Sequence, residues 1–187
     1  MRYNAIILGL LIAFCIGLSH VMQESGPISG SSEKVNTKAQ EASVPDLIVT
    51  DISGTRKNLL DFSGQVVVLN FWASWCAPCV VELPQMVGIA RKNPEEITLV
   101  AISIDESRNE LDRFLKKAGI DGRKDKNILI VHDQDRYISR DVFGTIRVPE
   151  TIIIAPDQKM VRKIIGDEVD WAGMEIMAYL SGLHTGR

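Results

Sequence analysis

A chain of 187 residues that is 45% hydrophobic, 24% charged and 6% aromatic can bury a core and is too apolar to stay disordered, so one globular domain with appendages is expected. Its 24 acidic and 21 basic side chains leave a net charge of −3, and no Lys/Arg run long enough to grip phosphates interrupts it, which argues against nucleic acid as a partner. Three cysteines are too few for a disulfide scaffold, so their placement must carry any meaning.

The chain opens on Met1-Arg2-Tyr3-Asn4 and runs uncharged from Ala5 to Leu18, the pattern of an export signal. As a helix that run spans about 21 Å of a roughly 30 Å hydrocarbon core, and its extension to Met22 reaches about 27 Å. Residues 1–22 therefore read as a signal sequence or a short N-terminal membrane anchor. No small-x-small cleavage site follows, which favours retention, and Arg2 ahead of the run keeps the N-terminus in the cytoplasm and the remainder outside it, on the periplasmic side. Cys15 follows Phe14 rather than the small residue of a lipoprotein signal and reads as an apolar filler. Residues 23–44 are Ser, Gly, Lys, Glu, Asn and Gln with almost nothing to bury, a flexible linker.

From Pro45 to the C-terminus, residues 45–187, the pattern is that of one domain. Leu47 to Val49 and Arg56 to Leu59 form a short hairpin across Asp51-Ile52-Ser53-Gly54. Val66 to Phe71, apolar except for Asn70, is a strand covered on both faces. A helix begins near Cys76 and runs to about Lys92, burying Val80, Leu83, Val87 and Ala90, with a kink at Pro84. Ile97 to Ile104 is a second buried strand. Ser107-Arg108-Asn109-Glu110 has the form of a capping box before a helix carrying Leu111, Phe114 and Leu115. Asn127 to Val131, Thr151 to Ala155 and Met160 to Ile165 are further strands, with a short helix near Tyr137 to Val142 between the first two. Val169 to Leu183 closes the chain as a helix, amphipathic through Trp171, Met174, Met177 and Leu180. Alternating strands and helices imply an α/β fold whose central sheet, parallel at its middle, is covered on both faces.

Trp75-Cys76-Ala77-Pro78-Cys79 stands at the junction of the most apolar strand and its following helix. Tetrahedral zinc needs four ligands and no second cysteine pair exists; haem attachment needs His directly after the second cysteine, and Val80 is there. Dithiol–disulfide exchange remains. At a helix N-terminus the unpaired N–H groups and the macrodipole stabilise a thiolate and lower its pKa from about 8.5, making Cys76 the nucleophile. Cys79, one turn further in, is placed to attack the mixed disulfide and close the Cys76–Cys79 ring as the resolving thiol. Pro78 falls where a helix has no N–H bond to lose and stiffens the loop. No cofactor is implied.

Phe71-Trp72-Ala73-Ser74-Trp75-Cys76-Ala77-Pro78-Cys79, with Glu82-Leu83-Pro84, Asp61-Phe62-Ser63-Gly64 and Val148-Pro149-Glu150-Thr151, resembles the TlpA/ResA type of thioredoxin-like thiol-disulfide oxidoreductase. The resemblance implies a thioredoxin-like fold: a central mixed β-sheet covered by helices on both faces. It implies membrane-anchored or exported bacterial reductases, many serving cytochrome c maturation, whose partners are a disulfide-bearing protein such as an apocytochrome and a membrane electron donor. It also gives Pro149 the cis-proline role, presenting backbone at Val148 to a substrate chain, and makes Glu82 a buried carboxylate that takes the proton of Cys79. In helical projection Glu82 lies about 60° from Cys79 and about 120° from Cys76, so it should couple mainly to Cys79; the residue pattern alone reads as a solvated glutamate. Trp75 is expected either to cover the disulfide and contact a partner or simply to pack, and Trp72 to pack.

The chain departs from the family at Ala155-Pro156-Asp157-Gln158-Lys159, which lacks the usual glycine; the turn is expected to avoid a glycine-only conformation, as a type I turn. Ala73 stands where peroxiredoxins need Thr, which argues against a peroxidase. The competing reading is a copper(I) chaperone for oxidase assembly using the same cysteines with His132, although such proteins space their cysteines one residue further apart. His20 and His184 read as inert, and Asp133, Asp135 and Arg136 as a solvated loop.

Overall fold

The structure, a computed structural model, describes residues 42–186. The leader, including Cys15 and His20, and most of the linker lie outside the described residues. Among the described residues the elements are β1 (Ile48–Thr50), β2 (Arg56–Asn58), a 3-10 turn (Leu59–Phe62), β3 (Val66–Trp72), α1 (Ala77–Lys92), β4 (Ile97–Ser103), α2 (Arg108–Ala118), β5 (Ile128–His132), a π-helical segment (Tyr137–Val142), β6 (Glu150–Ile154), β7 (Met160–Ile165) and α3 (Met174–Thr185). No helix among them is long and apolar enough to cross a membrane.

The five-stranded sheet has the order β5-β4-β3-β6-β7, with β3, β4 and β5 parallel and β6 and β7 antiparallel. Both faces are covered, so β3 and β4 are buried throughout. Val66, Val68 and Trp72 face Leu83 and Met86 of α1, Leu111 and Leu115 of α2, and Ile176 and Leu180 of α3. Val67, Leu69 and Phe71 face Val49, Leu59 and Phe62, with Ile138 and Phe143 packed alongside. The alternation along β3 thus sorts its side chains between two cores. Asn70, its one polar residue, donates its amide to Thr151 Oγ1 at 2.9 Å on the neighbouring strand, so neither is buried unpaired.

Several expectations shift. The domain begins before Pro45: Ser43 bridges Lys159, Val44 N–H donates to the Gln158 carbonyl at 2.8 Å, and Val44 is buried, so these last linker residues shield the hairpin after β6. That hairpin does adopt a left-handed residue, Gln158 at φ 70°, against the expectation that it would avoid one. Gln158 N–H donates to the Ala155 carbonyl and Ala155 N–H to the Lys159 carbonyl, which forces the extra residue into the left-handed region despite its Cβ. Ser107 caps α2 through its backbone only; the expected side-chain bond is absent, and the helix is stopped by Gly119 in the left-handed region. A capping box forms elsewhere, where the Asn58 side chain accepts from Leu60 N–H and Asp61 accepts from Asn58 N–H. α1 runs unbroken through Pro84, and Val80 is only half-buried on it. α3 starts later than expected, after a turn in which Gly173 N–H donates to the Asp170 carbonyl. The delay resets the phase: Trp171 is buried ahead of the helix, Ile176 and Leu180 form its inner face, and Met174 is 89% exposed.

Candidate active site

Cys76 is the N-cap of α1. Its backbone is extended (φ −86°, ψ 109°) and its N–H donates to the Ala73 carbonyl at 3.2 Å, closing a tight turn from the end of β3 into the helix. Pro78 occupies the first helical turn, where N–H groups have no intrahelical acceptor. Cys76 and Cys79 form a disulfide, with S–S 2.01 Å and Cα atoms 5.2 Å apart. Cys76 is 6% exposed and Cys79 1%, so the residue at the helix terminus is the more reachable of the two.

The turn that presents Cys76 is tied from behind by Asp105, which is fully buried just past β4. Ser74 N–H donates to both of its carboxylate oxygens at 3.0 and 3.1 Å, Ser74 Oγ to Oδ1 at 2.8 Å and Ser103 Oγ to Oδ2 at 2.7 Å. A carboxylate so fully satisfied is compensated for its burial and holds its donors rigidly. Sequence reasoning misses it. The one signal that points to it is register: Trp72 pairs with Ser103, so a residue just past β4 lies opposite the loop just past β3. Asp133, expected in a solvated loop, is another correction. It is buried and accepts Ile138 N–H at 3.0 Å and Ser139 N–H at 2.7 Å, capping the π-helical segment.

The Val148–Pro149 peptide bond is cis. Glu150, the next residue, pairs with Phe71, which brings Pro149 to the end of the sheet from which the cysteine turn departs. Val148 packs against the core cluster that includes Cys76 and Cys79. Trp75 is 60% exposed beside the pair, whereas Trp72 is buried against Phe114 with ring centroids 5.1 Å apart. Glu150 is buried, taking a 2.6 Å hydrogen bond from Thr145 Oγ1 and a 3.0 Å ion pair from Lys163.

Glu82 lies on the buried face of α1, one turn beyond Cys79, and is 7% exposed. Burial first and the nearby Asp167 carboxylate second push its pKa from 4.5 up to about 7. His132 ends β5 at the same end of the sheet, but its Nε2 lies 2.8 Å from the Asp105 carbonyl, engaged in the scaffold. No group of three or more His, Cys, Asp or Glu side chains among the described residues is arranged to hold a metal ion.

A disulfide at a helix N-terminus with a cis-proline at the same end of a mixed sheet is the arrangement of a thiol-disulfide exchange site, and similarity to known proteins agrees. The Redoxin family model matches residues 34–175. The thiol-disulfide oxidoreductase ResA of Bacillus subtilis (strain 168) is 27% identical over 159 residues, 84% of this chain and 82% of that protein. ResA of Bacillus thuringiensis subsp. konkukian (strain 97-27) is 31% identical over 125 residues, 66% of this chain and 68% of that protein. Two solved structures share the fold: a secreted Mycobacterium tuberculosis disulfide oxidoreductase homologous to E. coli DsbE (TM-score 0.61, 20% identity, 74% of this chain and 96% of that one) and StoA from Bacillus subtilis (TM-score 0.59, 21% identity, 75% and 99%). The chain belongs to the Redoxin family, as a thioredoxin-like thiol-disulfide oxidoreductase of the ResA/TlpA type.

Proposed function

We propose that this oxidoreductase works outside the cytoplasm as a reductase of protein disulfides, with Cys76 as nucleophile, Cys79 as resolving thiol and Glu82 as proton acceptor. The observation that carries the reading is the order of exposure within the pair. Cys76 sits at the helix terminus with surface to meet a substrate, and Cys79 is shielded behind it beside a buried carboxylate.

In the dithiol form, the Cys76 thiolate attacks one sulfur of the substrate disulfide. A Cys76–substrate bond forms and the other substrate sulfur leaves as thiolate. Cys79 gives its proton to Glu82 and attacks Cys76 Sγ; the Cys76–Cys79 bond closes and the second substrate sulfur leaves, protonated in turn. Two electrons have passed to the substrate, and a dithiol donor must return them, which the resemblance assigns to a membrane protein. A carboxyl with a pKa of about 7 is poised to exchange a proton near neutrality, a role worth roughly 10²–10⁴ in rate. Val148 and Trp75 border the pair as substrate contacts. The Pro149-Glu150-Thr151 sequence, like that of the cytochrome c maturation branch, supports an apocytochrome as the substrate. The apolar run behind Arg2 supports export, with residues 1–22 as signal or anchor and no cytoplasmic pool of the domain.

Trapping tests the roles. Cys79→Ser is expected to accumulate mixed disulfides through Cys76, because the releasing attack is lost; abundant complexes from Cys76→Ser instead would exchange the two roles. A reporter active only in the cytoplasm, fused at Arg187, should be silent, and a bright signal would reverse the topology. The copper-carrier alternative gains no support from His132, whose ring is bound to the Asp105 carbonyl.

A further inference from the structure

Beside Val148 opens a groove of about 550 Å³ whose wall includes Ile104, Ile146, Arg136, Arg140 and Arg147, and no lining residue is acidic. We propose that this groove receives an acidic segment of the substrate protein next to its reactive cysteines. The inference rests on the thiol-disulfide reading above and specifies the substrate class of that site.

Position comes first. Ile104 N–H donates to the Trp72 carbonyl at 2.9 Å, so the groove floor is anchored to the strand that delivers the cysteine turn. Its other wall is the stretch leading into cis-Pro149. The N–H and C=O groups of Ile146, Arg147 and Val148 have no hydrogen-bond partner among the described residues, and Ile146 is 96% exposed. An unpaired backbone with an outward apolar side chain suits an extended partner chain, held by main-chain bonds while its side chains sample the groove.

Charge identifies that chain. In a protein of net charge −3, three arginines line this one groove. Arg140 pairs with Asp141 at 2.8 Å, while neither Arg136 nor Arg147 has an ion pair among the described residues. Glu150 is offset by Lys163, whereas Asp133 and Asp135 act through space on the Arg140 guanidinium that Asp141 pairs directly, so the charge left to meet an acidic partner is that of Arg136 and Arg147. The backbone at the groove wall is rigid. Arg136 is left-handed at φ 60°, a region that disfavours a residue with a Cβ, and it is locked there because its N–H donates to the Asp133 carbonyl and its carbonyl accepts from Arg140 N–H. Those two bonds fix the Arg136 backbone at the groove wall.

Two synthetic peptides with the same intramolecular disulfide, one flanked by glutamates and its twin by glutamines, provide the test. The second-order rate of their reduction by the dithiol form of the full chain is measured at low salt and at about 0.5 M salt. The acid-flanked peptide should react about three- to tenfold faster at low salt, the range for two partly exposed ion pairs. The preference should fall toward unity at high salt. Arg147→Glu should lower the ratio or invert it, and Arg136→Gly, which also relieves the backbone, should lower it; the ratio cancels any loss of folded protein. Equal rates at low salt, or a preference that survives both substitutions together, overturn the proposal. Binding to anionic lipid vesicles that Arg147→Glu abolishes, combined with equal peptide rates, would give the groove to a membrane surface and overturn it as well. Failure of the exchange reading looks different: neither peptide, nor a small neutral disulfide, would be reduced at all.

Discussion

Glu82 links the stability of this protein to pH near neutrality. Its folded-state pKa of about 7 lies above the ordinary 4.5, so the fold favours the protonated carboxyl. The sign follows: its contribution to stability is complete below pH 4.5 and is lost as pH rises through about 7, by a few kcal/mol at most. In the oxidised protein the cysteines do not titrate, which isolates the effect. Thermal melts of oxidised protein between about pH 5 and 8 should show wild type losing more stability than Glu82→Gln, and parallel curves would mean a solvated glutamate. Asp105 contributes differently, through the donors that converge on it. Asp105→Asn turns an acceptor oxygen into an NH2 facing Ser74 or Ser103 and should cost about 1–3 kcal/mol in denaturant unfolding. The cysteines and Pro149 are legible in the sequence because their motifs are contiguous. Asp105 is not, because its partner Ser74 lies 31 residues away and only the β3–β4 register joins them.

At the scale of elements, β3, β4 and α1 can be read from sequence because each is long and strongly apolar on the faces it buries. The start of α3 cannot, because Trp171 keeps the apolar spacing going across a turn that the Asp170 carbonyl closes. Ser107-Arg108-Asn109-Glu110 shows the same limit, since a capping box is a side-chain rotamer choice that local sequence permits but does not impose. Two substitutions check this. Ser107→Ala should change stability by no more than about 0.5 kcal/mol, whereas Asn58→Ala, which breaks a box that does form, should cost about 0.5–2 kcal/mol. The hairpin after β6 offers the reverse case: Gln158 is left-handed and its side-chain amide is buried with no partner among the described residues. Gln158→Gly keeps the backbone bonds and should stabilise the domain by about 1–2 kcal/mol in the same assay; destabilisation would mean that packing of the Gln158 side chain outweighs its backbone strain.

Across the whole domain, the parallel run β3-β4-β5 directs its C-terminal ends to one side, and β6 enters antiparallel from that side through Pro149. That topology collects Cys76, Asp105, His132 and Pro149 at one end of the sheet from four separate stretches of chain. The most direct test of the central claim, that Cys76 and Cys79 exchange electrons with a bound disulfide, is disulfide mapping after a single turnover. Fully reduced full-length protein is mixed with one equivalent of a small neutral disulfide, quenched in acid and digested, and the fragments are weighed. A Cys76–Cys79 linkage is expected for every two thiols released from the small disulfide, with Cys15 uninvolved. A turnover that proceeds as well in a Cys76→Ser, Cys79→Ser double variant, or one that leaves Cys76 and Cys79 reduced, would contradict it.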